Sequence, residues 1–306
     1  MSWRLAEQAL CTQDNSCEYI DLIIEPRVHD LGGFQVRRSL PVRERRMVGP
    51  FVFFDHMGPA TLPPEQPINV RPHPHIGLST LTWLFEGTIM HRDSLGYVQE
   101  IIPGEINWMT AGSGIVHSER SPERLAGKPN SLHGLQIWMA LPKPYEETEP
   151  SFQHYKADAL PRIEDAGVRA VIVAGSAWGE QSPVSVFSET VYVDITLERG
   201  ATLEIGKEHE ERALYLLSGN IEIAGSRYAP GCMLVLHNNN APIIKALESA
   251  HLILLGGASM DGPRYLWWNF VSSDKERIEQ AKADWQEGRF TKVPGDEIEF
   301  IPLPDS

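Results

Sequence analysis

Apolar residues in this chain come in short dense runs separated by glycine, proline and acidic positions, and only one stretch keeps a helical period. Residues 19–24, 79–85, 133–141, 169–174, 192–198, 214–217 and 251–255 read as strands. Each is rich in β-branched, aromatic or leucine side chains and is bounded by turn formers. The 25 glycines and 23 prolines are scattered rather than clustered, which suits many short strands joined by turns. A helix is expected near the end. Ser273-Asp274-Lys275-Glu276 has the form of a capped start, and Ile278, Ala281, Ala283 and Trp285 continue the run until Gly288.

The pattern occurs twice. Leu81-Thr82-Trp83-Leu84-Phe85-Glu86-Gly87-Thr88-Ile89 is followed by Pro103-Gly104 and then Trp108-Met109. Leu214-Tyr215-Leu216-Leu217-Ser218-Gly219-Asn220-Ile221 is followed by Pro230-Gly231 and then Met233-Leu234. Strand, glycine turn, strand, Pro-Gly turn, strand in both halves predicts two barrels of similar design. Pro142, Pro144 and Pro150 bracket an extended acidic stretch that connects them. The reading is an all-β chain with one barrel over residues 1–141 and a second barrel, with the short helix, over residues 142–306.

The chemistry sits in two alternating motifs, His73-Pro74-His75 and His117-Ser118-Glu119. On a strand, residues i and i+2 point to the same face. Two such strands side by side bring three imidazoles and one carboxylate together, a donor set for a divalent transition metal with positions left open. Burying those four groups with neither metal nor hydrogen bonds would cost several kcal/mol. The second half has no such pair. His209-Glu210-Glu211 is contiguous, so its neighbours face opposite sides, and His237 and His251 have no i+2 partner. They are expected at the surface or the edge of the core.

The order of these motifs resembles the cupin barrel, and in particular the pirin family of two-barrel cupins. The matching segments are Pro50 through Pro59, Pro72-His73-Pro74-His75-Ile76-Gly77, Asn107 through Glu119, Leu135-Gln136-Ile137-Trp138, and Pro263 through Phe270. The resemblance implies two stacked β-barrels with iron in the N-terminal one, held by His73, His75, His117 and Glu119. One residue departs from the common cupin pattern: Ser79 stands where a glutamate follows the second histidine by four positions. In the pirin pattern Glu119 is the carboxylate ligand, so the metal set survives, while the local charge near the site changes.

The resemblance also implies an activity, since some family members cleave flavonols such as quercetin at the 2,3 position with dioxygen, releasing carbon monoxide. In that reading the cofactor is one divalent metal, Fe(II) first, with Ni, Cu, Zn or Mn able to use the same ligands. Glu119 would also accept the proton of the substrate's 3-hydroxyl, and Phe53 and Trp108 would line the mouth. Other members act as redox-sensitive partners of transcription factors or metabolic enzymes, so a non-enzymatic protein partner is the alternative. An open cleft favours turnover and a plugged one favours regulation.

Smaller features divide between support and packing. His91 is either a donor to the ligands or a turn cap, and His56 beside Asp55 reads as a structural hydrogen bond. Ser118 and His133 lack the Gly-x-Ser-x-Gly elbow of a hydrolase, and no glycine-rich loop offers a phosphate cradle.

A net charge of -14 argues against a direct nucleic-acid surface. The Arg37, Arg38, Arg43, Arg45, Arg46 cluster is expected to be a solvated region pairing with acids. Three cysteines, Cys11, Cys17 and Cys232, are too few for a disulfide framework, and Cys11 and Cys17 lack the spacing of a zinc site. Runs such as 252–255 are too short to span a bilayer, and residues 1–25 lack the apolar stretch of a secretory signal. A cytoplasmic protein is the expectation.

Overall fold

The computed structural model describes residues 18–30 and 34–304; Cys11 and Cys17 lie outside them. Almost all of the regular structure is antiparallel β, with one α-helix, Lys275–Gln286, among the described residues. The expected strands are present with ends shifted by a few residues, for example Leu78–Gly87, Asn130–Ala140 and Ala250–Gly257. The helix begins as its sequence dictates, the Asp274 side chain accepting a hydrogen bond from the Glu276 backbone N–H at the N-cap.

Each barrel is a large sheet facing a small one. In the first, a seven-stranded sheet runs in the order Ser151–Tyr155, Ile106–Thr110, Leu78–Gly87, Asn130–Ala140, Phe51–Leu62, Gln35–Leu40, Arg27–Asp30. It faces a four-stranded sheet of Asn69–His75, Ile115–Arg120, Ile89–Asp93 and Val98–Ile101. The second barrel repeats the plan with an eight-stranded and a four-stranded sheet.

Why the apolar runs are continuous rather than alternating follows from this packing. The two large sheets lie back to back, so their strands are buried on both faces. Phe51 and Phe54 join Tyr192 and Tyr215 in a core between the barrels, while Phe53 of the same strand joins Trp138 inside the first barrel.

The chain crosses the boundary at residue 141 several times. Strand Ile20–Ile24 pairs with Met233–Leu236 of the second barrel, and Ser151–Tyr155 pairs with Ile106–Thr110 of the first. The C-terminal hairpin, Tyr265–Trp267 with Phe270–Ser272, returns to the first barrel through a parallel bridge between Ile76 and Phe270. Elements from both sides of residue 141 therefore build each barrel.

Candidate metal centre

His73 and His75 end the strand Asn69–His75, and alternation points both to the inner face. The antiparallel partner is Ile115–Arg120, in which His117 lies directly opposite His73. Opposed side chains on neighbouring strands are brought into contact. His73, His75 and His117 accordingly present one ring nitrogen each within 4.8 Å of one another, and all three residues are buried. The Nε2 atoms of His75 and His117 are 3.1 Å apart.

The outward bonds assign the tautomers. His73 Nδ1–H donates to the Arg71 carbonyl at 2.9 Å, leaving the lone pair on Nε2. Asp93 is fully buried and takes a hydrogen bond from His91 Nε2–H at 3.0 Å. Its other oxygen accepts the backbone N–H groups of Leu95 and Tyr97. His91 Nδ1 is then an acceptor and faces His117 Nδ1 at 3.4 Å, so the lone pair of His117 falls on Nε2. His91 thus supports the cluster as an acceptor from His117, held in place by Asp93, rather than as a donor to the ligands.

Burial holds all three imidazoles neutral. His73 is pushed down to about 4, with the Arg71 carbonyl opposing. His75 and His117 lie well below the ordinary histidine range, through burial first and neighbouring histidines second. Three neutral imidazoles, two of them with inward lone pairs fixed by a carbonyl and a His–Asp pair, fit a divalent transition metal.

Glu119 departs from strict alternation. The ladder with Asn69–His75 slips between His117 and Glu119, while pairing with Ile89–Asp93 stays regular and sets Glu119 opposite His91. Its carboxylate is not among the atoms lying within 4.8 Å of one another. It lines the same cavity as His73 and His75, 3.4 Å from Thr82 Oγ1. The Thr82 hydroxyl proton is committed to Gln136 Oε1 at 2.6 Å, so the carboxylate has little support. Burial raises the Glu119 pKa, against the opposing pull of His91 and Thr82.

That cavity holds about 580 Å³, within the usual range for small-molecule sites. Phe53 forms part of its wall. Trp108 does not: it is 1% exposed and belongs to the core between the barrels with Trp83 and Tyr192. The aromatic partner at the site is Trp138, whose ring stacks on Phe53 at 3.9 Å and meets His75 edge-on at 5.2 Å. Gln136 also lines the cavity. Gln136 and Trp138 are i and i+2 in Asn130–Ala140 and so share the face turned to the cavity. The Arg38 guanidinium lies 4.3 Å over the Phe53 ring and grips both oxygens of Asp55 at 2.7 Å.

The remaining candidates have other roles. Ser79 is buried, its hydroxyl bonded to Thr110 Oγ1 at 3.0 Å. His56 is not bonded to Asp55. It contacts the Tyr215 hydroxyl at 2.9 Å, Arg37, and His133 Nε2 at 3.0 Å, joining the two barrels. Ser118 and His133 stand on different sheets and form no triad. In the second half His251 bonds Asp194 at 2.6 Å and His209 bonds Glu189 at 2.8 Å. Among the described residues no second group of metal-type ligands meets the spacing of the first. No helix there is long and apolar enough to cross a membrane.

The family model described as Pirin matches residues 33–139, and the model for the pirin C-terminal cupin domain matches residues 192–291. A pirin-like protein of Caulobacter vibrioides is 50% identical over 94% of this chain and all of its own length. The chain belongs to the pirin family. A relative from Pseudomonas aeruginosa, provisionally named a quercetin 2,3-dioxygenase, is 38% identical over 89% of this chain and 87% of its own.

A crystal structure of quercetin 2,3-dioxygenase from Acinetobacter baumannii superposes with a TM-score of 0.85 at 34% identity, covering 93% of this chain and 95% of that one. A bacterial pirin from Escherichia coli, solved with nickel(II), shares the fold at a TM-score of 0.63 and 18% identity, over 78% of this chain and 99% of its own. The two-barrel cupin architecture of the pirin fold is thus shared across these structures.

Proposed function

We propose that this pirin is a metal-dependent dioxygenase that opens the ring of flavonols or related flat phenols, with ferrous iron as its metal. The observation that carries the reading is the cluster of three buried imidazoles opening onto a 580 Å³ cavity with an aromatic wall and one carboxylate. The relatives named for quercetin cleavage support the same reading. An accessible cavity favours turnover over a purely regulatory role.

His73, His75 and His117 would hold the ion, and Glu119 would complete the set from the cavity wall. The bound metal supplies a redox centre where dioxygen and an electron-rich phenol meet. The chain's own residues do the rest. Phe53 and Trp138, stacked on each other, give the cavity an aromatic wall against which a fused aromatic ring would pack. Glu119, its basicity raised by burial, accepts the proton of the phenolic hydroxyl. Thr82 and Gln136 keep a polar strip beside it.

The test is anaerobic incubation of iron-loaded protein with quercetin, followed by admission of oxygen. Metal-dependent loss of the flavonol absorbance and release of carbon monoxide are expected. Persistence of the flavonol in stoichiometrically loaded protein would sink the enzymatic reading.

A further inference from the structure

The family model for the C-terminal domain ends at residue 291, yet the chain beyond it comes back to the metal-binding barrel. Four anchors fix its course. The Ile301 N–H donates to the carbonyl of Pro72, the residue before His73, at 2.9 Å. The Trp285 indole N–H, on the helix, donates to the Ile301 carbonyl at 3.0 Å. Arg120, next to Glu119, holds Asp296 by two bonds at 2.7 and 2.8 Å. Arg120 also pairs with Glu299 at 3.0 Å.

Between these anchors the tail separates two spaces. Ile301 lines the metal cavity, beside His73 and His75. Its neighbours Phe300 and Pro302 line a second cavity of about 550 Å³, whose wall also includes Pro72 and Val116, the residues before His73 and His117. One side chain of the tail therefore faces the ligand cluster and the two beside it face away from it.

We propose that Ile301 is a specificity-determining residue of the metal cavity, a partition that confines the ligand to a compact, unsubstituted aromatic. The inference rests on the dioxygenase reading for the chemical class of the ligand, and on the tail alone for the partition. Shortening Ile301 widens the metal cavity on the side of the tail, beside His73 and His75. Releasing the Arg120 latch does the same by freeing the tail.

The test uses full-length nickel-loaded protein under nitrogen, as wild type, Ile301→Ala, Ile301→Val and the latch variant Asp296→Asn/Glu299→Gln. Affinities for quercetin, and for quercetin carrying a glucosyl group on the ring remote from its 3-hydroxyl, are read from quenching of tryptophan fluorescence. The rate of nickel extraction by EDTA is read in parallel, and circular dichroism confirms the fold. Ile301→Ala and the latch variant are expected to shift the affinity ratio several-fold towards the glucosylated ligand and to release nickel several-fold faster. Ile301→Val is expected to stay near wild type.

An unchanged affinity ratio in the folded variants overturns the proposal. Where wild type binds neither flavonol, the dioxygenase reading falls and the EDTA rate decides: faster release upholds the partition, and equal rates overturn it.

Discussion

Arg264 and Glu146 form an ion pair at 2.7 Å in which neither side chain is more than 8% exposed. Glu146 comes from the connection between the barrels, and Arg264 from just before the C-terminal hairpin that seats against Ile76. The same carboxylate accepts bonds from Ser272 and Ser273, so one buried acid ties the connection to the segment that leads into the helix. Breaking one partner of a buried pair strands the other charge. Glu146→Ala is therefore expected to cost about 3–5 kcal/mol, read from urea denaturation. A Glu146→Leu/Arg264→Met double variant is expected to lose much less, and an equal loss would mean that the pair is not the cause.

The imidazole cluster predicts a clean metal phenotype. His75→Ala is expected to abolish stoichiometric metal in elemental analysis while the circular dichroism of the barrels persists. Full retention of metal in that variant would move the site elsewhere.

Glu119 separates binding from chemistry. Because its carboxylate stands on the cavity wall rather than within the imidazole cluster, Glu119→Gln is expected to retain metal on the three histidines. Turnover is expected to fall by roughly 10²–10⁴-fold, the range for loss of a positioned base. Loss of metal and turnover together would make Glu119 chiefly a ligand.

Two tryptophans should behave oppositely. Trp138→Leu removes the stacking partner of Phe53 and is expected to weaken flavonol binding by about 0.5–1.5 kcal/mol, seen as a raised KM. Trp108→Ala empties a core position and is expected to cost about 3–5 kcal/mol of stability in urea, with ligand affinity changed little in the protein that folds.

The metal-free protein should lose stability on acidification. Burial holds His73 at about 4, and burial with Arg37 holds His56 at about 2, both from an ordinary 6.5. Below pH 6.5 the unfolded chain takes protons that the folded chain refuses, so stability falls as pH falls towards those values. Glu119 and Asp55, raised by burial, work in the opposite sense above the usual carboxylate range. Urea midpoints are expected to drop between about pH 7 and about pH 5, less steeply in His56→Phe. Identical slopes in the two proteins would remove His56 from the effect.

Much of this was legible in residues read one strand at a time. Period-two spacing is local geometry, so it placed His73 and His75 on one face and the strand runs within a few residues of their ends. The cap at Asp274 is equally local and marked the helix start. The placement of Glu119 was not, because the ladder slips after His117 and alternation holds only where pairing is regular. The pattern was equally silent on which of Trp108 and Trp138 faces the cavity, since strands buried on both sides carry apolar residues at every position.

The chain by itself determined a two-barrel β-protein with paired histidines, because turn chemistry and strand alternation act between neighbours. Tertiary structure alone decided what surrounds the ligands. The Asp93–His91 support, the Trp138 wall and the Ile301 partition come from segments that meet only when the barrels close and the tail returns. Such contacts depend on sheet register and burial, which no short stretch of sequence encodes.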